Sequence, residues 1–121
     1  MQTDLYAAVI AQIGALVPGF KSLVRSLYQP PNSAVNMGEW PVINFFLAGS
    51  GGAAVTLTCL PEQYCQTDAV SPGVALFMLQ EIPDPTQSSV LGLTLLTNYH
   101  TIFDRSVDGA GIVIFAQKTF R

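Results

Sequence analysis

Charge is scarce in this chain: Asp, Glu, Lys and Arg together make up 11% of its 121 residues, less than half the usual share in globular domains. A small self-contained domain has a large surface to solvate. So little charge implies that a partner covers part of that surface, or that the chain is a piece of a larger fold. With five basic residues and a net charge of −3, it offers no cationic face to nucleic-acid phosphates. Lys21 and Arg25, four apart, read as a solvated helix face. A single histidine and two cysteines make a metal site improbable, and no cofactor is expected. Two cysteines are also too few for a disulfide framework. Cys59 and Cys65 can close the loop at residues 60–64 in an oxidising compartment, or remain buried thiols.

Long uninterrupted apolar runs are missing too, although the mean hydropathy is +0.40. Residues 40–61 carry no charged side chain and are long enough to cross a bilayer. Gly49-Ser50-Gly51-Gly52 stands in their middle, and Asn44, Thr56 and Thr58 interrupt them further. That pattern predicts a hairpin, not a membrane span. Residues 6–17 are apolar but end at Pro18, and no positive segment precedes them, so they make a poor signal peptide. A secreted parent would carry its signal outside this chain.

What is present is one helix followed by strands. Thr3 or Asp4 is placed to cap a helix with an apolar stripe of Leu5, Val9, Ile13 and Leu16, stopped by Pro18-Gly19. Residues 20–28 can add a turn or two before Pro30-Pro31 enforces extension. Residues 41–48 and 54–60 flank the glycine-rich turn as a hairpin, with Val55, Leu57 and Cys59 on one face of the second strand and Thr56 and Thr58 on the other. Residues 73–82 read as a longer apolar strand, and Pro83-Asp84-Pro85 as a rigid exposed loop. Residues 88–91 read as short and extended; Gly92 breaks them before a helical turn at residues 93–97. Residues 99–103 and 112–116 pair across a loop containing Asp108-Gly109. The last strand is apolar on both faces, which predicts burial between layers. No repeat or linker divides residues 1–121, so they form one mostly β unit.

Taken residue by residue, the chemistry is thin. Asp104 reads as a strand-end partner of Arg105 and Asp108 as a turn residue. Ser88, Ser89 and His100 form neither a nucleophile elbow nor a triad order. Gly49-Ser50-Gly51-Gly52 lacks the following lysine of a phosphate loop.

Seven segments in order carry a resemblance. Val90-Leu91-Gly92-Leu93, then Tyr99-His100-Thr101-Ile102-Phe103-Asp104-Arg105, then Gly111-Ile112-Val113-Ile114-Phe115-Ala116 close the chain. Before them come Trp40-Pro41-Val42-Ile43-Asn44-Phe45-Phe46-Leu47, Val55-Thr56-Leu57-Thr58 and Pro61-Glu62-Gln63-Tyr64. At the start stands Gln2-Thr3-Asp4-Leu5-Tyr6-Ala7-Ala8-Val9. Together these resemble the second lobe of pepsin-like aspartic endopeptidases, from just after its catalytic Asp-Thr-Gly or Asp-Ser-Gly to its end. The resemblance implies a partial C-terminal lobe of a bilobal acid-protease fold, mostly β, with an N-terminal helix and a short helix after Gly92.

Neither Asp-Thr-Gly nor Asp-Ser-Gly occurs here, and the five aspartates, Asp4, Asp68, Asp84, Asp104 and Asp108, all stand elsewhere. In that family two aspartates share a proton and activate one water, because like charges so close cannot both ionise. The resemblance therefore implies no catalytic residue in this chain, and no activity from it alone. It implies that Val90, Leu91 and Gly92 pack beneath the catalytic loop, glycine admitting a crossing backbone. Phe77, Met78, Leu79, Ser88 and Ser89 are implied to line the substrate cleft. The implied partners are the remainder of the protease, comprising the N-terminal lobe and the Asp-Thr/Ser-Gly segment, and a polypeptide substrate. The implied compartment is secretory, vacuolar, lysosomal or extracellular. Leu93 stands where the family has Asp or Asn, His100 replaces a common aromatic residue, and the cysteine spacing is not the family's. These departures leave open a non-catalytic binding or inhibitor-like protein of the same fold. An unrelated small β domain is the third alternative.

Overall fold

The computed structural model describes residues 1–24, 29–90, 92–106 and 111–118. Helix α1 (Thr3–Leu16) begins the chain. Gln2 is its N-cap and caps through no side-chain hydrogen bond, so the capping expected of Thr3 or Asp4 is not made. Instead Gln2 is held from outside: its backbone N–H donates to Ser89 Oγ at 2.9 Å and its side-chain amide to the Gln87 carbonyl at 2.8 Å. Only the middle of the expected stripe, Val9 and Ile13, is buried, together with Ile10 outside it. Leu5 and Leu16, at the two ends of that face, remain 41% and 68% exposed, because none of the described residues covers them. Pro18 follows the C-cap Val17, and α2 (Phe20–Val24) turns back with Phe20 and Val24 buried. The rest of the helical segment expected to residue 28 lies outside the described residues.

Strands β1 (Ile43–Ala48) and β2 (Ala54–Cys59) form the expected antiparallel hairpin, Ile43 opposite Cys59 and Ala48 opposite Ala54. Gly51 and Gly52 make the reversal at φ 73° and 83°, a region that L side chains rarely enter. Leu57 and Cys59 are fully buried and Thr56 is exposed, the alternation the sequence predicted. The α3 turn (Pro61–Tyr64) follows, with Pro61 at its first position and the Gln63 side chain accepting from the Leu60 N–H at 2.8 Å. The expected strand over residues 73–82 is much shorter. Within it β4 (Ala75–Phe77) pairs with β3 (Cys65–Thr67), while Val74 makes a single antiparallel bridge to Pro31 and Ile82 a single parallel bridge to Gln2. Apolar content extended that reading too far; after Phe77 the chain leaves β3 and binds the N-terminus.

Helix α4 (Leu93–Leu96) and the hairpin of β5 (Tyr99–Asp104) and β6 (Ile112–Gln117) complete the chain as expected. The Asp108-Gly109 turn lies outside the described residues. Burial of β6 between layers is not observed. Ile112, Val113 and Ile114 are 38–49% exposed, and across the hairpin Ile102 and Phe103 are 50% and 72% exposed. Tyr99 and Phe115, edge-to-face at 6.0 Å, anchor the base of the hairpin against the core, and no second layer among the described residues covers its remainder. The molecule is therefore a small mixed α/β domain with three two-stranded antiparallel sheets among its described residues.

Four aromatic rings hold the centre. Phe20 meets Trp40 and Phe77 edge-to-face at 5.1 and 5.5 Å, Tyr64 meets Phe77 edge-to-face at 6.0 Å, and Trp40 stacks on Tyr64 at 6.1 Å. Such pairs contribute roughly 0.5–1.5 kcal/mol each beyond their buried area. The buried Tyr64 hydroxyl is satisfied by the Pro41 carbonyl at 2.6 Å. A polar lock joins the last hairpin to this body. Gln63 Nε2 donates to Asn98 Oδ1 and Thr97 Oγ1 at 2.7 and 2.8 Å, and Asn98 Nδ2 donates to Gln63 Oε1 and the Thr58 carbonyl at 2.7 and 2.9 Å. Replacing one partner strands the other's hydrogen-bonding groups in a half-buried site. Gln63→Ala is expected to destabilise the native protein by about 1–3 kcal/mol, read as a lower denaturant midpoint at unchanged slope.

Candidate functional site

An open groove of about 990 Å³ runs between α1 and β1. Leu5, Val9 and Leu16 form part of one wall and Phe45, Phe46 and Leu47 part of the other. The sequence builds both walls simply: helical spacing brings Leu5, Val9 and Leu16 to one face, and β1 presents its length. Among the described residues no Asp, Glu, Lys or Arg side chain lines the groove. Its chemistry is that of a binding surface for apolar material, with Asn44, Gln12 and Ser89 as scattered polar points.

The residues expected to line a cleft divide. Met78, Leu79 and Ser89 reach this groove, together with Val90 and Gly92. Phe77 does not; it is 5% exposed and packed against Phe20 and Tyr64, since its register opposite Cys65 turns it to the core. Ser88 is exposed and lines no part of the groove. Val90 is 75% exposed, and a Cβ added at Gly92 meets nothing within 4 Å. The close backbone approach expected at Gly92 is thus not made within this chain. Leu91 lies outside the described residues. Sequence reasoning missed α1 and β1 as groove walls, although exposed-capable Leu5, Leu16 and Phe46 were the signal.

The aspartates are dispersed. Asp4 stands in the first turn of α1. Asp68, at φ 55°, accepts from the Gly73 N–H at 2.6 Å and from Asn32 Nδ2 at 2.9 Å, and these bonds lower its pKa. Asp84 accepts from the Thr86 hydroxyl and N–H at 2.7 and 2.9 Å, and Asp104 from the Ser106 hydroxyl and N–H at 2.5 and 2.9 Å; both are likewise lowered. A shared-proton dyad needs a carboxyl pushed the other way by a close neighbour. These three are turn-forming carboxylates, and Asp108 lies outside the described residues. Stability drawn from these turns is present above the ordinary carboxyl value of 3.8 and lost as pH falls below it. His100 is exposed on β5. Among the described residues no three His, Cys, Asp or Glu side chains gather as a metal site, and no helix is long and apolar enough to cross a membrane.

Cys59 and Cys65 are buried thiols in this structure. Desolvation pushes each from an ordinary 9.0 up to about 11. A raised thiol pKa means that folding favours the neutral form. That contribution is complete below pH 9.0 and lost as pH rises through about 11. The native protein is therefore expected to lose thermal stability across that alkaline window, and to react slowly with iodoacetamide at neutral pH until unfolded. Stability unchanged to pH 11 would contradict the burial of these thiols.

In comparisons with protein-family models, with characterised proteins and with solved structures, nothing matches the chain.

Proposed function

We propose that this chain is the C-terminal part of the second lobe of a pepsin-like aspartic endopeptidase. It acts with the remainder of the enzyme, which supplies both catalytic aspartates. The observation that carries the reading is the ordered set of segments from Gln2 to Ala116, ending in Phe103-Asp104-Arg105 and the final apolar strand. Two further features support it. The closing hairpin carries five large apolar residues at 38–72% exposure, as expected of a strand pair that another layer covers. The groove is apolar and open, as expected where a lobe lacks part of its sheet.

Under this reading the chemistry is hydrolysis of a peptide bond in an extended polypeptide. One aspartate of the pair acts as base on a water and the other polarises the scissile carbonyl. This chain contributes architecture: Val90-Leu91-Gly92 beneath the catalytic loop, with Met78, Leu79 and Ser89 towards the cleft. The rival reading is a non-catalytic binding or inhibitor-like protein of the same fold, favoured by Leu93 standing in place of the family's Asp or Asn.

Gly92→Val tests the reading. Nothing crowds Gly92 in the chain itself, so the variant is expected to fold as the native chain does. In the assembled enzyme the new side chain meets the crossing catalytic loop, and overpacking of that kind costs about 1–3 kcal/mol. Proteolytic activity should then fall strongly, while Ser50→Val in the exposed β1–β2 turn leaves it unchanged. Equal activity of the two variants would remove the central structural correspondence. An assembled complex that binds peptides without cleaving them would favour the rival.

A further inference from the structure

Asp84 is the one aspartate of the chain that a proline follows. Pro83, Asp84 and Pro85 are among neither the groove lining nor the core. Residues 83–90 are all exposed, so water reaches the Asp84–Pro85 bond. A bond from aspartate to proline has a hydrolytic route of its own. The side-chain carboxyl stands one carbon from the backbone carbonyl, and its attack closes a small ring. Reactions within one residue gain greatly in effective concentration. The departing nitrogen belongs to a tertiary amide and accepts a proton more readily than an ordinary peptide nitrogen does.

The local geometry both assists and restrains this reaction. The Asp84 carbonyl accepts from the Gln87 N–H at 3.2 Å, so a donor already stands where negative charge gathers on the attacked oxygen. The nucleophile, in contrast, is held. Its Oδ1 accepts from the Thr86 N–H at 2.9 Å and the Thr86 hydroxyl at 2.7 Å, and its Oδ2 from Gln87 Nε2 at 3.5 Å. These bonds favour the ionised carboxylate and hold its pKa below the usual 3.8, with no charged side chain contributing to the shift. The nearest charged residue along the segment is Glu81, three positions earlier. Gln2 touches both sides of the bond, bridging Ile82 before it and bonding Gln87 and Ser89 after it. A cut there leaves both flanking segments tied to the same residue.

We propose that the Asp84–Pro85 bond is an acid-triggered self-cleavage site, with the Asp84 carboxyl as its catalytic group and Thr86 as the residue that restrains it. The step balances with water alone. A side-chain oxygen of Asp84 bonds to its own backbone carbonyl carbon, and the bond from that carbon to the Pro85 nitrogen breaks. The nitrogen leaves with the proton that the carboxyl carries in acid. Water then opens the cyclic anhydride, restoring the side-chain carboxyl and giving Asp84 a new terminal one. Residues 1–84 and 85–121 become separate chains. Each molecule hydrolyses only its own bond, so the reaction is independent of the turnover of a protein substrate. The reactive state carries one proton more than the carboxylate. Cleavage therefore rises as pH falls through the carboxyl's pKa, and the Thr86 bonds push that onset to lower pH.

The test is acid incubation of the full chain, read by denaturing mass spectrometry. Below pH 3.8, fragments 1–84 and 85–121 should accumulate with masses that add to the chain plus one water, faster than any cut at Asp4, Asp68, Asp104 or Asp108. Asp84→Asn should abolish them. Thr86→Val removes the hydroxyl donor, and should move the onset to higher pH and raise the rate severalfold at a given pH. Thr86→Ser should keep the parent profile. In concentrated urea, where the turn is lost, parent and both Thr86 variants should cleave alike. A chain that stays intact in acid would overturn the proposal, as would unchanged cleavage in Asp84→Asn. Thr86→Val cleaved no faster than the parent in native buffer would overturn it as well, since the turn would not then govern the bond. Block of the cut by a statine-type mimic would overturn it in favour of a protease acting on this loop.

Discussion

Purified alone at acidic pH, the chain is expected to cleave no unfolded protein substrate, and to do so only when joined by the remainder of the proposed enzyme. The expected change is all or none. Peptide hydrolysis by this chemistry needs two carboxyl groups close enough to share one proton. Asp68, Asp84 and Asp104 instead accept hydrogen bonds from turn N–H and hydroxyl groups, which lower their pKa values. With the remainder present, cleavage should appear in acid and be blocked by a statine-type transition-state mimic. Its pH profile should report the coupled pair of carboxyl groups, whose apparent pKa values belong to the pair. Asn substitutions at Asp84, Asp104 and Asp108 should leave the shape of that profile unchanged. If one of them abolished cleavage in a complex that still assembled and bound the mimic, the chemistry would reside in this chain and the assignment would fail.

The second large effect concerns solution behaviour. Expressed without a partner, the chain is expected to aggregate or to bind dyes that report exposed apolar surface. Each of the three sheets among the described residues has two strands, which leaves open edges, and two-stranded sheets are marginal without a layer packed on them. The β5–β6 hairpin adds Ile102 opposite Ile114 and Phe103 opposite Val113, so both of its faces expose apolar side chains. Replacing Phe103 and Ile114 by lysine places one charge on each face. The double variant is expected to stay monomeric at concentrations where the parent precipitates, as seen by light scattering, with its far-ultraviolet circular dichroism unchanged. The same variant should assemble poorly with the remainder of the proposed enzyme. A sharp, reversible, monomeric melt of the unaltered chain would show that this surface needs no cover.

The β1–β2 hairpin was legible in the sequence because its signals are local. Gly51 and Gly52 supply the positive φ of the turn, and the alternation of Val55, Leu57 and Cys59 with Thr56 and Thr58 fixes which face turns inward. A one-residue slip would turn Leu57 and Cys59 outward, so the register follows from burial. The exposed loop at Pro83-Asp84-Pro85 was readable for a like reason, since its prolines restrict the backbone locally; within it Asp84 accepts from Thr86 through short hydrogen bonds. The candidate groove was less legible. Met78, Leu79 and Ser89 were foreseen through the resemblance, whereas α1 and β1 as its walls were not. A helical stripe says which residues share a face, and says nothing of whether a neighbour covers its ends.

By itself, then, the sequence determined the local alternatives: where helices and strands form, which glycines turn, and that no Asp-Thr-Gly or Asp-Ser-Gly is present. Those outcomes depend on backbone sterics and on periodicity within a few residues. Only the tertiary structure decided that Phe77 closes the aromatic core, that residues 78–82 leave the sheet to hold the N-terminus, and that Leu5, Leu16 and the closing hairpin stay uncovered. Burial is settled by what arrives from distant parts of the chain, and an apolar residue reads the same in sequence whether or not anything arrives. That is why the last strand looks like a core strand in sequence and stands exposed in the fold.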